Sequence, residues 1–229
     1  MTPKAAIAEL RALGDASKAA EMHRYHKVDR PYLGVANPVI DERVKTWRAD
    51  IDLEQRLSLA KGLWAGNTHE GRIAAAKLLS QARIRPDDNG AWDLICTWVP
   101  QFDAWATADH ACIAGQKRLV ADPTRLDIVE GWITSNHMWT KRAALVMTLP
   151  WTKQNHPKPA ELEARDRILI WAASYVNDHD WFIQKAVAWW LRELSKHDAD
   201  RVRTFLQTHA DNMKPFAVKE ASRKLPAKS

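Results

Sequence analysis

The chain has 229 residues, 46% of them hydrophobic and 27% charged, with 34 Lys+Arg against 28 Asp+Glu and a net charge of +6. That apolar content supports a sizeable core, in one large domain or two small ones, and argues against intrinsic disorder. No run approaches the ~18 apolar residues of a membrane span, and Met1-Thr2-Pro3-Lys4 lacks the apolar core of a signal peptide, so a cytoplasmic chain with no membrane partner is expected.

The apolar spacing is helical nearly everywhere. Thr2-Pro3 reads as an N-cap followed by Pro at the first helical position, opening a helix that carries Ile7, Leu10 and Leu13 and stops at Gly14. Residues 41–47, 53–64 and 72–79 show i, i+3, i+4 spacing. Further helices are predicted over 90–99, 102–120, 124–134, 137–149, 160–176, 180–196, 198–208 and 213–224. Breaks are expected at 85–90, at Asp122-Pro123 and at 154–159, where turn and breaker residues gather. No convincing strand pair is found, so the fold class is all-α.

These helices repeat. An aromatic-x-x-basic start recurs at Trp139-Thr140-Lys141-Arg142, Phe182-Ile183-Gln184-Lys185 and Phe216-Ala217-Val218-Lys219. Arg72 fits with His69 in the aromatic place, and the Trp105 segment fits with Ala108 where a base should stand. The anchors 72, 108, 142, 185 and 219 are spaced by 36, 34, 43 and 34 residues, about one helix pair each, as in HEAT-like solenoids. Two meanings of the repeated base stay open. It lines a concave basic face suited to a long polyanion, or it serves ion pairs within the repeats. Seven bases among the last 29 residues (Arg201, Arg203, Lys214, Lys219, Arg223, Lys224, Lys228) favour nucleic acid.

The Trp105 unit breaks the rule, placing Asp109 one turn after Trp105 on the same helical face. An indole beside a carboxylate suits a cationic alkylated purine nucleotide. The π face attracts the positive base, and the carboxylate stabilises an oxocarbenium-like sugar and positions water. The plainer alternative makes Trp105 a core residue and pairs Asp109 with Arg142 or Lys117.

Four strings carry a resemblance: Tyr32-Leu33-Gly34-Val35, Trp105-Ala106-Thr107-Ala108-Asp109, Ser135 to Ala144 around Trp139 and Arg142, and Phe182 to Glu193. In this order they resemble the bacterial DNA alkylation repair family of HEAT-like glycosylases, AlkD type, over most of the chain. The resemblance implies a right-handed α-α superhelix spanning 1–229 as a single domain, with a concave basic groove. It also implies a monomeric, nucleoid-associated protein that excises cationic N3- and N7-alkylpurines from double-stranded DNA with no cofactor and no metal. On this mapping Asp109 is the catalytic aspartate, Trp105 and Trp189 flank the lesion, and Arg142 and Arg192 contact the backbone. Family members are unusual in leaving the damaged base stacked. The string around Asp109 departs from the family's Trp-Asp-x-x-Asp form, so a different lesion range is expected.

A competing match, Trp92-Asp93-Leu94-Ile95-Cys96, would put Cys96 at the catalytic position. Asp109 lies 33 residues before Arg142, close to one repeat, whereas Cys96 lies 46 before it, and Asp109 is preferred, with Trp92 and Trp98 in the core. Lys185 is a candidate phosphate contact or a structural residue, and Tyr25 and Tyr32 line the groove or pack. Trp47, Trp64, Trp132, Trp151, Trp171, Trp181 and Trp190 are read as packing residues, and Cys112 as facing the core. Neither cysteine belongs to a CxxC pair, and no HExxH, GxGxxG or P-loop string occurs. No lysine is assigned as a Schiff-base nucleophile, so hydrolysis without strand cleavage is expected. The rivals are a non-catalytic binder of distorted or branched DNA and a protein-binding scaffold.

Overall fold

In the computed structural model, which describes residues 1–226, α1 (Pro3–Ala12) starts as its sequence dictates. The Thr2 hydroxyl accepts from the Ala5 amide at 3.2 Å, Pro3 supplies the first helical φ, and Ala6 and Leu10 are buried. Asp15 then caps α2 (Ala16–His26), accepting from the Ser17 and Lys18 amides. This helix has no counterpart in the predicted elements, and none of its residues is buried. An apolar stripe is the signal that periodicity detects, and α2 has no such stripe to bury.

The remaining predicted helices are found with shifted ends. α3 (Asn37–Ala49) buries Ile40, Val44 and Trp47, and α4 (Leu53–Ala65) opens on a capping box between Asp52 and Gln55. α5 (His69–Leu78) buries all but one of its residues, and α6 (Asn89–Trp98) runs into a 3₁₀ turn at Val99–Gln101. α7 is Trp105–Ala121. After a 3₁₀ turn at Pro123–Arg125 come the short α8 (Leu126–Glu130) and α9 (Met138–Met147). Another 3₁₀ turn, Leu149–Thr152, precedes α10 (Pro159–Ser174), α11 (Trp181–Leu194), α12 (Ala199–His209) and α13 (Pro215–Ser222). Among the described residues there is no strand, and the fold is all-α.

Two compact units are formed, Met1–Asp122 and Pro123–Ser229 by sequence, divided at the predicted Asp122-Pro123 break. Within the first, α3 packs on α5 and α5 on α7; within the second, α9 packs on α11 and α11 on α13. The α5–α7, α9–α11 and α11–α13 contacts join successive anchor-bearing helices, which is the neighbour-on-neighbour stacking of a helical repeat. Small residues after the four basic anchors permit it: Ala74, Ala75, Ala143, Ala144, Ala186 and Ala221 are all buried.

Tryptophans fill both cores. Trp64 and Trp98 stack at 4.4 Å in the first unit, and Trp151, Trp171 and Trp190 are buried in the second. Trp47 and Cys112 are buried as expected. Trp181 is not a packing residue in the same sense, since it is 47% exposed. No helix of the described residues is long and apolar enough to cross a membrane.

Candidate functional site

The first unit presents Trp105 and Asp109 one turn apart at the start of α7. Asp103, just upstream, accepts from Arg30 and lies 3.5 Å from Arg72, whose guanidinium sits 4.7 Å over the Trp64 ring. Two buried cations on one carboxylate thus fix the chain where α7 begins. Trp105 stays 37% exposed and Asp109 half-buried. Trp92 of the competing match is buried at 3% exposure and offers no ring face to a ligand.

An aromatic wall surrounds Trp105. Tyr25 meets it edge-on at 6.1 Å, and the His26 ring lies 5.4 Å away. His26 in turn stacks parallel to Tyr32 and lies 4.6 Å from His69. Burial, together with His26, Arg30 and His110 nearby, pushes the His69 imidazole down to about 3. Burial and Arg30 also lower His26; His110 is lowered by burial and Lys77, with Asp109 and Asp41 opposing. The wall is therefore uncharged at neutral pH, and a cation approaching Trp105 meets π faces rather than imidazolium charge.

Behind the wall, the Leu-Gly-Val string is held by a single carboxylate. Glu70, fully buried at the start of α5, accepts from the amides of Leu33, Gly34 and Val35 at 2.8–3.2 Å. Gly34 has φ +76°, and a Cβ there would stand 2.0 Å from the Asp15 carbonyl oxygen. The string is thus a backbone requirement that seats Tyr32 in the wall.

In the second unit the anchors diverge. Arg142 is buried, its guanidinium 5.7 Å from the Trp139 ring, and Arg72 of the first unit is buried too. Lys185 and Lys219 are exposed. The repeated base therefore occupies two environments, internal in α5 and α9 and solvent-facing in α11 and α13. Arg192 donates to Glu193 and Glu220, so its guanidinium is already held by carboxylates. Lys228 of the basic C-terminal stretch lies outside the described residues.

Trp189, Lys185 and Arg192 share a pocket of about 670 Å³ between α11 and α13. Its other walls include Trp181, Phe216 and Lys219, which sequence reasoning left as packing residue, repeat marker and generic base. The missed signal was spacing: Trp181, Lys185 and Trp189 recur every four residues and therefore share one face. No cluster of three or more His, Cys, Asp and Glu among the described residues could hold a metal ion.

An all-α protein of stacked helices, with a partly exposed aromatic wall in the first unit and an aromatic and basic pocket in the second, is the class this structure defines. A family model described as DNA alkylation repair enzyme matches residues 6–225, and the chain belongs to that family. Solved structures agree in fold. A predicted DNA alkylation repair enzyme from Enterococcus faecalis superposes with a TM-score of 0.79 at 20% identity, covering 94% of this chain and 98% of that one. AlkD2 from Streptococcus mutans gives 0.62 at 19% identity over 92% and 99% of the two chains. The smu.31 protein of Streptococcus mutans UA159 gives 0.61 at 20% identity over 82% and 92%. No curated protein matches the sequence.

Proposed function

We propose that the chain is a monofunctional DNA glycosylase for cationic N3- and N7-alkylpurines in duplex DNA. The observation that carries this reading is the pairing of a partly exposed Trp105 with Asp109 one turn later, inside an uncharged aromatic wall, in a member of the DNA alkylation repair family. In the reaction the N-glycosidic bond breaks with its electron pair moving onto the cationic base, which leaves neutral. Water adds to the resulting oxocarbenium-like C1′ and loses a proton, giving an abasic sugar. Asp109 stabilises the developing positive charge and orients that water. In the first unit Trp105 meets the lesion nucleotide beside Asp109, and in the second Trp189, Lys185 and Arg192 serve the DNA, the lysine and arginine on phosphates. Arg142 is buried, so its contribution to affinity is placed below that of the exposed Lys185.

The test uses duplex DNA carrying 7-methylguanine, with free base measured by chromatography. Wild type is expected to release base, and Asp109→Asn to be slower by about 10²–10³, the usual cost of losing one electrostatic stabiliser. Equal release by the two proteins removes Asp109 from catalysis. Duplex binding by wild type with no release at all leaves a non-catalytic binder of damaged or distorted DNA.

A further inference from the structure

The α11/α13 pocket holds more chemistry than an alkylated duplex uses. Along α11, Trp181, Lys185 and Trp189 are one turn apart, about 6 Å of rise each. Opposite them α13 offers Phe216 and Lys219. The Trp181 and Phe216 rings lie 6.0 Å apart, inclined by only 29°. The carboxylate in the pocket, Glu220, is occupied by Arg192 and by Arg223 at 3.3 Å. Lys185 and Lys219 pair with no carboxylate among the described residues, and the Lys185 ammonium rests instead 4.4 Å over the Trp181 ring.

Exposed aromatic faces alternating with uncommitted ammonium groups fit one kind of ligand, a planar base bearing phosphate. A purely apolar molecule would leave both lysines unused, and an inorganic anion would leave the rings unused. A base within an intact duplex has its faces covered by its neighbours, whereas an unpaired base is free to stack on an indole. The volume of about 670 Å³ falls in the range of small-ligand sites. A solvent-exposed cation–π contact is weak, so Lys185 can leave the Trp181 face to a base and move to its phosphate.

We propose that this pocket is a binding site for an unpaired nucleotide, with the base against Trp181 and Phe216 and the phosphate on Lys185 and Lys219. The proposal shares Lys185 and Trp189 with the glycosylase reading, but it concerns binding and needs no base release. The nucleotide comes from a single-stranded segment of DNA or from the free pool, and the two sources separate by experiment.

The full chain is titrated into fluorescein-labelled (dA)5, followed by anisotropy, with deoxyadenosine monophosphate as competitor and an abasic strand of equal length as comparison. Wild type binds (dA)5, and the abasic strand binds at least about tenfold more weakly, as expected for the loss of base–aromatic stacking. Trp181→Ala and Lys219→Ala each weaken (dA)5 binding at least about fivefold, and Trp181→Phe restores most of it. Both sites are exposed, and unchanged thermal melting confirms folding. Competition by the mononucleotide at concentrations similar to (dA)5 assigns the site to free nucleotide, and its failure to compete assigns it to a strand. No binding of (dA)5, equal binding of the abasic strand, or wild-type affinity in both alanine variants overturns the proposal. Base release from alkylated duplex is measured in parallel. Release without single-strand binding sinks this site alone, and single-strand binding without release sinks the glycosylase reading alone.

Discussion

His69 carries a cost that depends on pH. Its ring is buried between Tyr32 and His26, at 4.8 and 4.6 Å, and its ionisation is pushed down from 6.5 to about 3. Above about pH 6.5 neither the folded nor the unfolded imidazole binds a proton, and stability is at its full value. Between 6.5 and about 3 the unfolded chain takes up a proton that the folded chain refuses, so stability falls by up to about 1.4 kcal/mol per pH unit. His26 and His110 are shifted in the same direction and add to the slope. Urea unfolding at pH 7.5 and pH 5 is expected to show a loss of about 2 kcal/mol assignable to His69, and His69→Phe should flatten the profile by about one proton. An unchanged slope in the variant means that the buried neutral ring is not the cause. At this scale Trp105 and Asp109 were legible because i, i+4 spacing fixes which residues share a helical face. The histidine wall was not, since His26, Tyr32 and His69 come from separate segments whose meeting depends on tertiary packing.

The element that brings those segments together is the clamp between α5 and the 33–35 loop. Glu70 satisfies three backbone amides that have no helix or sheet to enter, across 37 residues of sequence. Glu70→Ala leaves those donors without their acceptor, and its cost is expected to exceed about 2 kcal/mol in urea unfolding. Glu70→Gln should cost less, because the amide oxygen still accepts. A change within about 0.5 kcal/mol for Glu70→Ala would mean that water replaces the carboxylate fully. The sequence makes the helices of the repeat readable because each needs an apolar stripe, and its breaks at 85–90, 122–123 and 154–159 fall on the connections and the first residues of the helices that follow, Asn89 and Gly90 opening α6 and Pro159 opening α10. It conceals α2, which needs no such stripe. It also shows a base at four anchors without showing that Arg72 and Arg142 are buried while Lys185 and Lys219 face solvent. A buried guanidinium and a solvent-exposed ammonium are written by the same kind of residue in the same repeat position.

For the whole molecule, the formal charge of +6 is therefore not a count of DNA contacts. Many arginines are committed internally: Arg165 donates to the Trp151 and Gln154 carbonyls and to Asp198, Arg167 to Asp127 and Glu130, and Arg201 to Asp166 and Asp198. Such groups are neutralised in place and release few counterions when DNA arrives. On the proposed function, the electrostatic term of duplex binding comes from the solvent-facing lysines and from those arginines that can exchange a carboxylate for a phosphate. Each phosphate contact contributes about 0.9 to the slope of log K against log salt. Lys185→Ala is accordingly expected to lower the magnitude of that slope by about 1 and to weaken binding of all duplex sequences alike. Arg165→Gln, by contrast, should lower stability through loss of a buried, fully bonded guanidinium while the slope stays at its wild-type value. Fluorescence anisotropy on one duplex across a salt series measures both. A full wild-type slope in Lys185→Ala removes that residue from the DNA contact, and a reduced slope in Arg165→Gln would show that internal ion pairs open when the duplex binds.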